Sequence, residues 1–330
     1  MAITAAQVNQ LRQETGAGMM DCKNALVEAD GDFEKAIDIL RKKGQKVAAK
    51  RADRASNEGR VIAKVNAEHT FGAAVVVSCE TDFVGKNADF IAFAEKIIDA
   101  AMAAQIKTRE ELLDLNIGGQ KVSELLLEMT GKTGEKVELP GYNSIVAPYV
   151  TAYNHNGNRL AAVAGFNKTG IEEAAHNVAM QIAAMNPIAV DGTGIPQDVK
   201  DHELEIGKEK TVAELIQKAV ETALKKAGIN PNLVDSDDHI ASNITKGWLT
   251  EEEANKARKI KVSAAEEKAK NMPAAMVENI ANGRLNKFIK ENTLMGQEYI
   301  MDGNLTVADY MKQVDKDLAC TGFARLQLGA

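Results

Sequence analysis

Residues 61–79 read VIAKVNAEHTFGAAVVVSC, and residues 145–166 read IVAPYVTAYNHNGNRLAAVAGF. Each stretch contains two runs of small and β-branched apolar residues separated by a polar turn, at Glu68–Gly72 in the first and at His155–Asn158 in the second. Such runs around a short turn predict a β-hairpin in each place, with one strand of the second hairpin over Ile145–Tyr153.

The chain beyond each hairpin repeats the same order of elements. Helical stripes and a final strand are predicted at 90–104, 122–129 and 136–139 after the first hairpin, and at 174–185, 307–314 and 323–328 after the second. Both copies therefore run strand, strand, helix, helix, strand, which is an internal repeat. The fold class predicted is α+β, a duplicated core in which each copy is an antiparallel sheet with helices on one face.

The first 55 residues predict a separate bundle of three short helices. The first helix ends at Gly16-Ala17-Gly18, the second carries Met19 on its apolar stripe, and the third is predicted to end before Gly44. Residues 41–60 then contain eight Lys or Arg and two acids. This stretch has two interpretations, a solvated basic linker helix or an RNA-contacting surface.

A long helical insert separates the two helices of the second copy. It spans 195–285, with a capping-box pattern at Thr211 and another at Thr250, and Pro273 before a further helix. The predicted domains are therefore a helical unit with its basic linker, two core subdomains and an arm, over 1–55, 56–141, 142–194 with 286–330, and 195–285.

The first copy has an unusually long connection between its hairpin and its helix. Residues 79–86 read CETDFVGK, about twice the length of the matching turn in the second copy. The apolar pair Phe83-Val84 lies beside two acids in a segment that the repeat does not require, which favours a contact loop directed outward. A cytosolic enzyme that uses Glu80 and Asp82 as an acid/base pair is the alternative.

Composition narrows the class of protein. The net charge of −7 over 330 residues argues against a protein whose main task is to coat nucleic acid. No apolar stretch is long enough to span a membrane, and the three cysteines form no CxxC pair, which fits reduced thiols. We expect a cytoplasmic, folded protein without a cofactor.

The short motifs of catalysis and metal binding are incomplete. Gly131-Lys132-Thr133 resembles the end of a phosphate-binding loop, but that loop needs a glycine where the chain has Leu126. The acidic run 235–238 has Ile240 where a calcium loop needs glycine, and the five histidines are scattered. We therefore predict no catalytic residue and no metal site.

Three further sets of residues stand out along the chain: Leu11-Arg12 with residues 15–23 (TGAGMMDCK), the loop Glu80–Val84, and residues 179–184 (AMQIAA) with Pro187, Gly296-Gln297 and Thr321–Phe323. Together they resemble one family, elongation factor Ts, the guanine-nucleotide exchange factor of elongation factor Tu. The resemblance covers almost the whole chain in the family's order. It implies that the first bundle is a ubiquitin-associated-type domain and that the insert is the family's helical or coiled-coil arm.

The resemblance also implies a function and its residues. Thr81, Asp82, Phe83 and Val84 would enter the GTPase near its Mg²⁺ and phosphate site and promote exchange of GDP for GTP, without any bond-making chemistry. The partner would be elongation factor Tu, in its GDP form and without nucleotide, with no membrane and no direct nucleic-acid role.

Other contacts follow from the same resemblance. Met19, Met20 and Lys23 would contact the GTPase from the N-terminal domain. Gln181, where many members have histidine, lies in the helix that meets the partner. The arm is longer than the family's usual helical hairpin.

Overall fold

The computed structural model describes residues 3–155 and 157–329. The predicted turn at His155–Asn158 includes Asn156, which lies outside the described residues. The chain forms two compact units, one of residues up to Val190 together with Gln297 onward, and one over Asp191–Gly296. None of the helices in the described ranges has the length and apolarity needed to cross a bilayer.

Three helices form the N-terminal bundle: α1 (Ala5–Thr15), α2 (Met19–Glu28) and α3 (Phe33–Lys50). The predicted stop of α1 is confirmed, because Gly16 has a φ of 66°, a left-handed conformation that glycine adopts at low cost. The predicted end of α3 before Gly44 is wrong. Gly44 lies inside α3, where a Cβ atom would come within 2.6 Å of the Leu127 carbonyl oxygen. The absent side chain lets α3 cross the core closely.

The first core copy contains nine elements. They are β1 (Glu58–Val65), β2 (Phe71–Cys79), α4 (Asp82–Gly85), α5 (Ala88–Ala103), α6 (Arg109–Asp114), β3 (Asn116–Ile117), β4 (Gln120–Lys121), α7 (Val122–Thr133) and β5 (Glu138–Val146). The main sheet is antiparallel with the order β1-β2-β5. The prediction that Ile145 begins the second hairpin is wrong, because Ile145 and Val146 pair with Gly72 and Phe71 of β2. β5 thus continues past the predicted boundary between 141 and 142.

The second core copy repeats this arrangement. Its elements are β6 (Tyr149–Asn154), β7 (Leu160–Phe166), α8 (Glu172–Met185), and, after the arm, β8 (Glu298–Tyr299), β9 (Asp302–Thr306), α13 (Val307–Val314) and β10 (Cys320–Gln327). The sheet order β10-β7-β6 again places the second strand of the copy in the centre. The predicted α+β class and the repeat of strand order are confirmed.

The two sheets pack face to face through small apolar side chains. Val61 and Val76 of the first sheet meet Val150 and Val163 of the second in one buried cluster. The other face of the first sheet is covered by α5 and α7, around fully buried Phe90. Burial on both faces explains why β2 is a nearly continuous apolar run.

The second unit is helical, with α9 (Gln197–Lys226), α10 (Asp237–Thr245), α11 (Glu251–Lys270) and α12 (Ala274–Asn292). The capping box at Thr250 is confirmed by its two reciprocal hydrogen bonds with Glu253. The one predicted at Thr211 is wrong, because Thr211 lies within α9 and its hydroxyl donates to the Gly207 carbonyl oxygen. A second small core, around Leu224, Ile240 and Leu249, holds α9, α10 and α11 together.

Candidate functional site

The loop that follows β2 presents one aromatic side chain to solvent. Phe83 is 85% exposed and lies in α4, a single helical turn whose N-cap is Thr81. Its neighbour Val84 points the other way and packs against the core under the first sheet. The turn therefore separates the predicted apolar pair into a side chain packed on the core, Val84, and a solvent-exposed side chain, Phe83.

Hydrogen bonds fix the base of this turn. The Thr81 backbone N–H and hydroxyl donate to the two Glu135 carboxylate oxygens at 3.0 and 2.6 Å. The Cys79 thiol donates to the Thr81 carbonyl oxygen at 3.2 Å. Gly85 is buried so closely that a Cβ atom would lie 3.0 Å from the Gly59 nitrogen. Exposed Phe83 thus stands on a rigid base rather than on a mobile loop.

Glu135 was not among the residues singled out from the sequence. It lies 54 positions from Thr81, two residues after the end of α7, and no local pattern connects the two. Its contact identifies Glu135 as the group that positions the loop.

The two acids of the loop are both neutralised by cations. Burial alone would raise the pKa of Glu80, but the Lys136 N–H at 2.7 Å and the Arg51 guanidinium at 2.6 Å together lower it. The Lys86 ammonium, 2.6 Å away, lowers the pKa of Asp82. A general acid needs a raised pKa, so this geometry does not favour the acid/base alternative.

The Cys79 thiol beneath the loop is also unreactive. Burial, with a smaller contribution from the Glu135 charge, raises the pKa of Cys79 to about 12. A thiol with that pKa is almost wholly protonated near neutral pH and is a poor nucleophile. Cys79 is therefore a packing group of the loop.

A second exposed apolar face lies on α2. Met20 is 62% exposed, and Lys23 and Val27 follow it at the spacing of one helix face. Met19 is also exposed, so its predicted place on the buried stripe is wrong; Cys22 and Leu26 fill that stripe. Val27 was not among the residues singled out from the sequence, although its position seven residues after Met20 places it on the same face of α2.

Some basic side chains of the stretch 41–60 form ion pairs within the protein. Lys43 forms an ion pair with Asp21, and Arg51 pairs with Glu80. Most of the other basic side chains of 41–60 are exposed along α3 and after it. An RNA contact there stays an alternative hypothesis.

Gln181 is fully buried on α8 and makes three hydrogen bonds inside its own unit. Its side-chain nitrogen donates to Gln297 Oε1 and to the Glu298 carbonyl oxygen, and its oxygen accepts from the Ile300 N–H at 2.9 Å. In this arrangement Gln181 cannot itself touch a partner. It holds the β8–β9 hairpin against α8, and the hairpin presents Ile300 and Met301 to solvent.

Comparisons with known proteins point to one family. The family model described as elongation factor TS matches residues 80–330. Proteins named elongation factor Ts from Parabacteroides distasonis and Phocaeicola vulgatus are 53% and 52% identical, each over all of both chains. The one from Flavobacterium psychrophilum is 42% identical over 99% of both. The identity thus extends through the N-terminal bundle and the arm.

Proposed function

We propose a function from one premise: the chain belongs to the elongation factor Ts family, a family of translation elongation factors. The protein binds elongation factor Tu carrying GDP, loosens the bound GDP and leaves a nucleotide-free complex that GTP enters. It makes and breaks no covalent bond, so it is an exchange factor rather than an enzyme. The proposed place of action is the cytoplasm, with the translation machinery.

The observation that carries the proposal is Phe83, an aromatic side chain that is 85% exposed on a turn fixed by hydrogen bonds. A rigid apolar wedge can enter between two elements of the GTPase and lose little conformational entropy on binding. Displacing the residues around the Mg²⁺ of the GTPase weakens its hold on the phosphates, because that ion bridges nucleotide and protein. The segment Thr81–Val84 performs this step.

Asp82 contributes a charge that the partner can recruit. Its ion pair with Lys86 is exposed on both sides, and exposed pairs contribute little free energy. Asp82 can therefore exchange Lys86 for a cationic group of the GTPase when the two surfaces meet.

The α2 face is a second contact with the same partner. Met19, Met20 and Lys23 bind the GTPase, together with the adjoining Val27. Long helix α3 connects this bundle to the loop, because Arg51 directly after it pairs with Glu80. Gln181 acts indirectly, by holding the Ile300 segment in place for the partner.

Coupling between the two ligands is the physical basis of exchange. If the factor weakens GDP binding by some ratio, GDP weakens factor binding by the same ratio. The factor is therefore released when a nucleotide returns, and one molecule serves many GTPase molecules.

Release of fluorescent GDP from elongation factor Tu of the same organism tests this function. Substoichiometric protein should accelerate release many-fold. An unchanged release rate, with the protein shown to be folded, would overturn the proposal. Binding of RNA that weakens steeply with salt, in the absence of exchange, would favour the basic 41–60 stretch instead.

A further inference from the structure

A surface cavity of about 510 Å³ lies in the second core copy, where α8 ends beside β10. The residues that line it include Tyr153, His155, Arg159, Met180, Ile300 and Arg325. None of the described residues lining the cavity is acidic. On a chain with a net charge of −7, a cavity with two arginines and no carboxylate is a local reversal of charge.

The two arginines differ in how their charge is balanced. Arg159 forms an ion pair with Glu58 and also donates to the Asn57 carbonyl oxygen. Arg325 has no carboxylate partner among the described residues. Its Nε donates to the Ala183 carbonyl oxygen at 3.0 Å, and its two terminal nitrogens have no acceptor in the described part of the chain.

Capping of the C-terminus of α8 uses only part of the hydrogen-bonding capacity of the Arg325 guanidinium. The Ala183 carbonyl is one of the last four of the helix, and a helix end carries roughly half a negative charge. One N–H of the guanidinium is used there, and four remain. Burial lowers the pKa of Arg325, while the group stays protonated at any physiological pH. A partly buried positive charge thus remains open to a ligand.

The rim of the cavity indicates the kind of anion. Met180 lies on one side, and Ile300, 39% exposed, lies on another, next to Met301, which is 59% exposed. Gln181 fixes this apolar edge through its bond to the Ile300 N–H. A small free anion would leave these side chains in water, whereas a protein surface would cover them.

We propose that this cavity receives an Asp or Glu side chain of the GTPase, held by the terminal nitrogens of Arg325 and bordered by the apolar side chains of Met180 and Ile300. The inference rests on the proposed function and adds to it the chemistry of a third contact. A guanidinium binds a carboxylate through two parallel hydrogen bonds, which gives direction as well as affinity. The cavity therefore contributes to affinity, while Phe83 performs the displacement.

Calorimetric titration of elongation factor Tu with Arg325→Gln and Gln327→Glu variants tests the proposal. Gln327 also lines the cavity and lies two positions from Arg325 on the same strand, so a carboxylate there would occupy the guanidinium from within. Gln313→Glu is the control, since it makes the same charge change at an exposed position of α13. We expect Kd to rise roughly 10- to 100-fold for both cavity variants and to stay unchanged for the control. The maximal GDP-release rate at saturation should stay within about twofold.

Each other outcome has a distinct meaning. Weakening by Arg325→Gln alone would reduce Arg325 to a cap of α8, and normal affinity of both variants would exclude the cavity; either overturns the proposal. Heat from titrating inorganic phosphate into the protein, lost in Arg325→Gln, would identify a small-anion site instead. If Arg325→Gln fails to fold, the Kd of the Gln327→Glu variant alone tests the proposal. Wild-type protein that binds without accelerating release would overturn the exchange function and leave the cavity to stand on the variants; absence of binding would overturn both.

Discussion

Replacing Phe83 with alanine should separate the proposed exchange function from stability, because the side chain is largely exposed. A phenylalanine that is fully buried removes about 200 Å² from water, and Phe83 keeps 85% of its surface exposed. The area that alanine would uncover is therefore on the order of 30 Å². At about 25 cal/mol per Å² this is less than about 1 kcal/mol of unfolding free energy.

Phe90 is the matched control, seven residues along and 1% exposed on the adjoining helix α5. Its replacement by alanine removes a buried ring from the core and should cost about 3–5 kcal/mol. Urea unfolding, monitored by circular dichroism, measures the stability of both variants, and GDP release from elongation factor Tu measures their exchange activity. Phe83→Ala should lose at least about tenfold in maximal release rate, or about 1.4 kcal/mol of transition-state stabilisation. Phe90→Ala should keep the wild-type rate in its folded fraction.

The opposite pattern would refute the reasoning. A Phe83→Ala protein with a large loss of stability and a normal release rate would mean that the ring is a core group in solution. A normal rate with normal stability would mean that the exposed ring does not enter the partner, and the site of displacement would lie elsewhere.

Three further changes test the surroundings of the loop and the arm. Glu135→Ala removes both acceptors of the loop anchor and should lower the maximal release rate about tenfold, with a loss of roughly 1–3 kcal/mol in urea unfolding and an intermediate result for the glutamine variant; an unchanged rate would contradict the anchoring role. The lowered pKa of Glu80 contributes stability that is present above the pKa of the unfolded state, about 4.3, and is lost as the pH falls through the folded-state pKa. Lowering the pH from about 5 to about 3 should therefore destabilise the wild type more than Arg51→Met. Parallel curves of stability against pH for the two proteins would contradict the ion pair. Replacing residues 213–271 with a short connection should leave a folded core with residual exchange activity by circular dichroism and GDP release; an unfolded product would contradict the separate arm.

Much of the core could be predicted because its signals are local. Each hairpin joins neighbouring runs, and the strand order repeats in both copies. The loop of Phe83 was identified by comparing the copies, since a segment that one copy lacks is not needed to close the sheet. The same locality explains the error at Ile145: its place in β5 depends on pairing with Gly72, more than 70 residues earlier, and not on its neighbours.

Other features depend on contacts that no short pattern contains. Thr211 and Thr250 share the capping-box pattern T-x-x-E, but Gly247, with a φ of 73°, interrupts the helical conformation shortly before Thr250. Nothing interrupts α9 before Thr211, so the helix runs through it. Gln181 was assigned to the partner surface by resemblance, yet its side chain is fully buried, because the β8–β9 hairpin returns to it from beyond the arm.

The structure links two of the proposed contact surfaces through one helix. The face of Met20 belongs to the bundle that α3 completes, and α3 lies against α7 at Gly44 without a side chain between the two backbones. Arg51, directly after α3, pairs with Glu80 at the base of the Phe83 turn. An exchange factor binds more tightly when its wedge and its second contact surface are already held in a fixed relation. The entropy of ordering the two is then lost during folding and not during binding. The tight crossing and the ion pair hold the two proposed contact surfaces in that relation. We therefore expect a looser connection to weaken binding of the partner even though it removes none of the proposed contact residues.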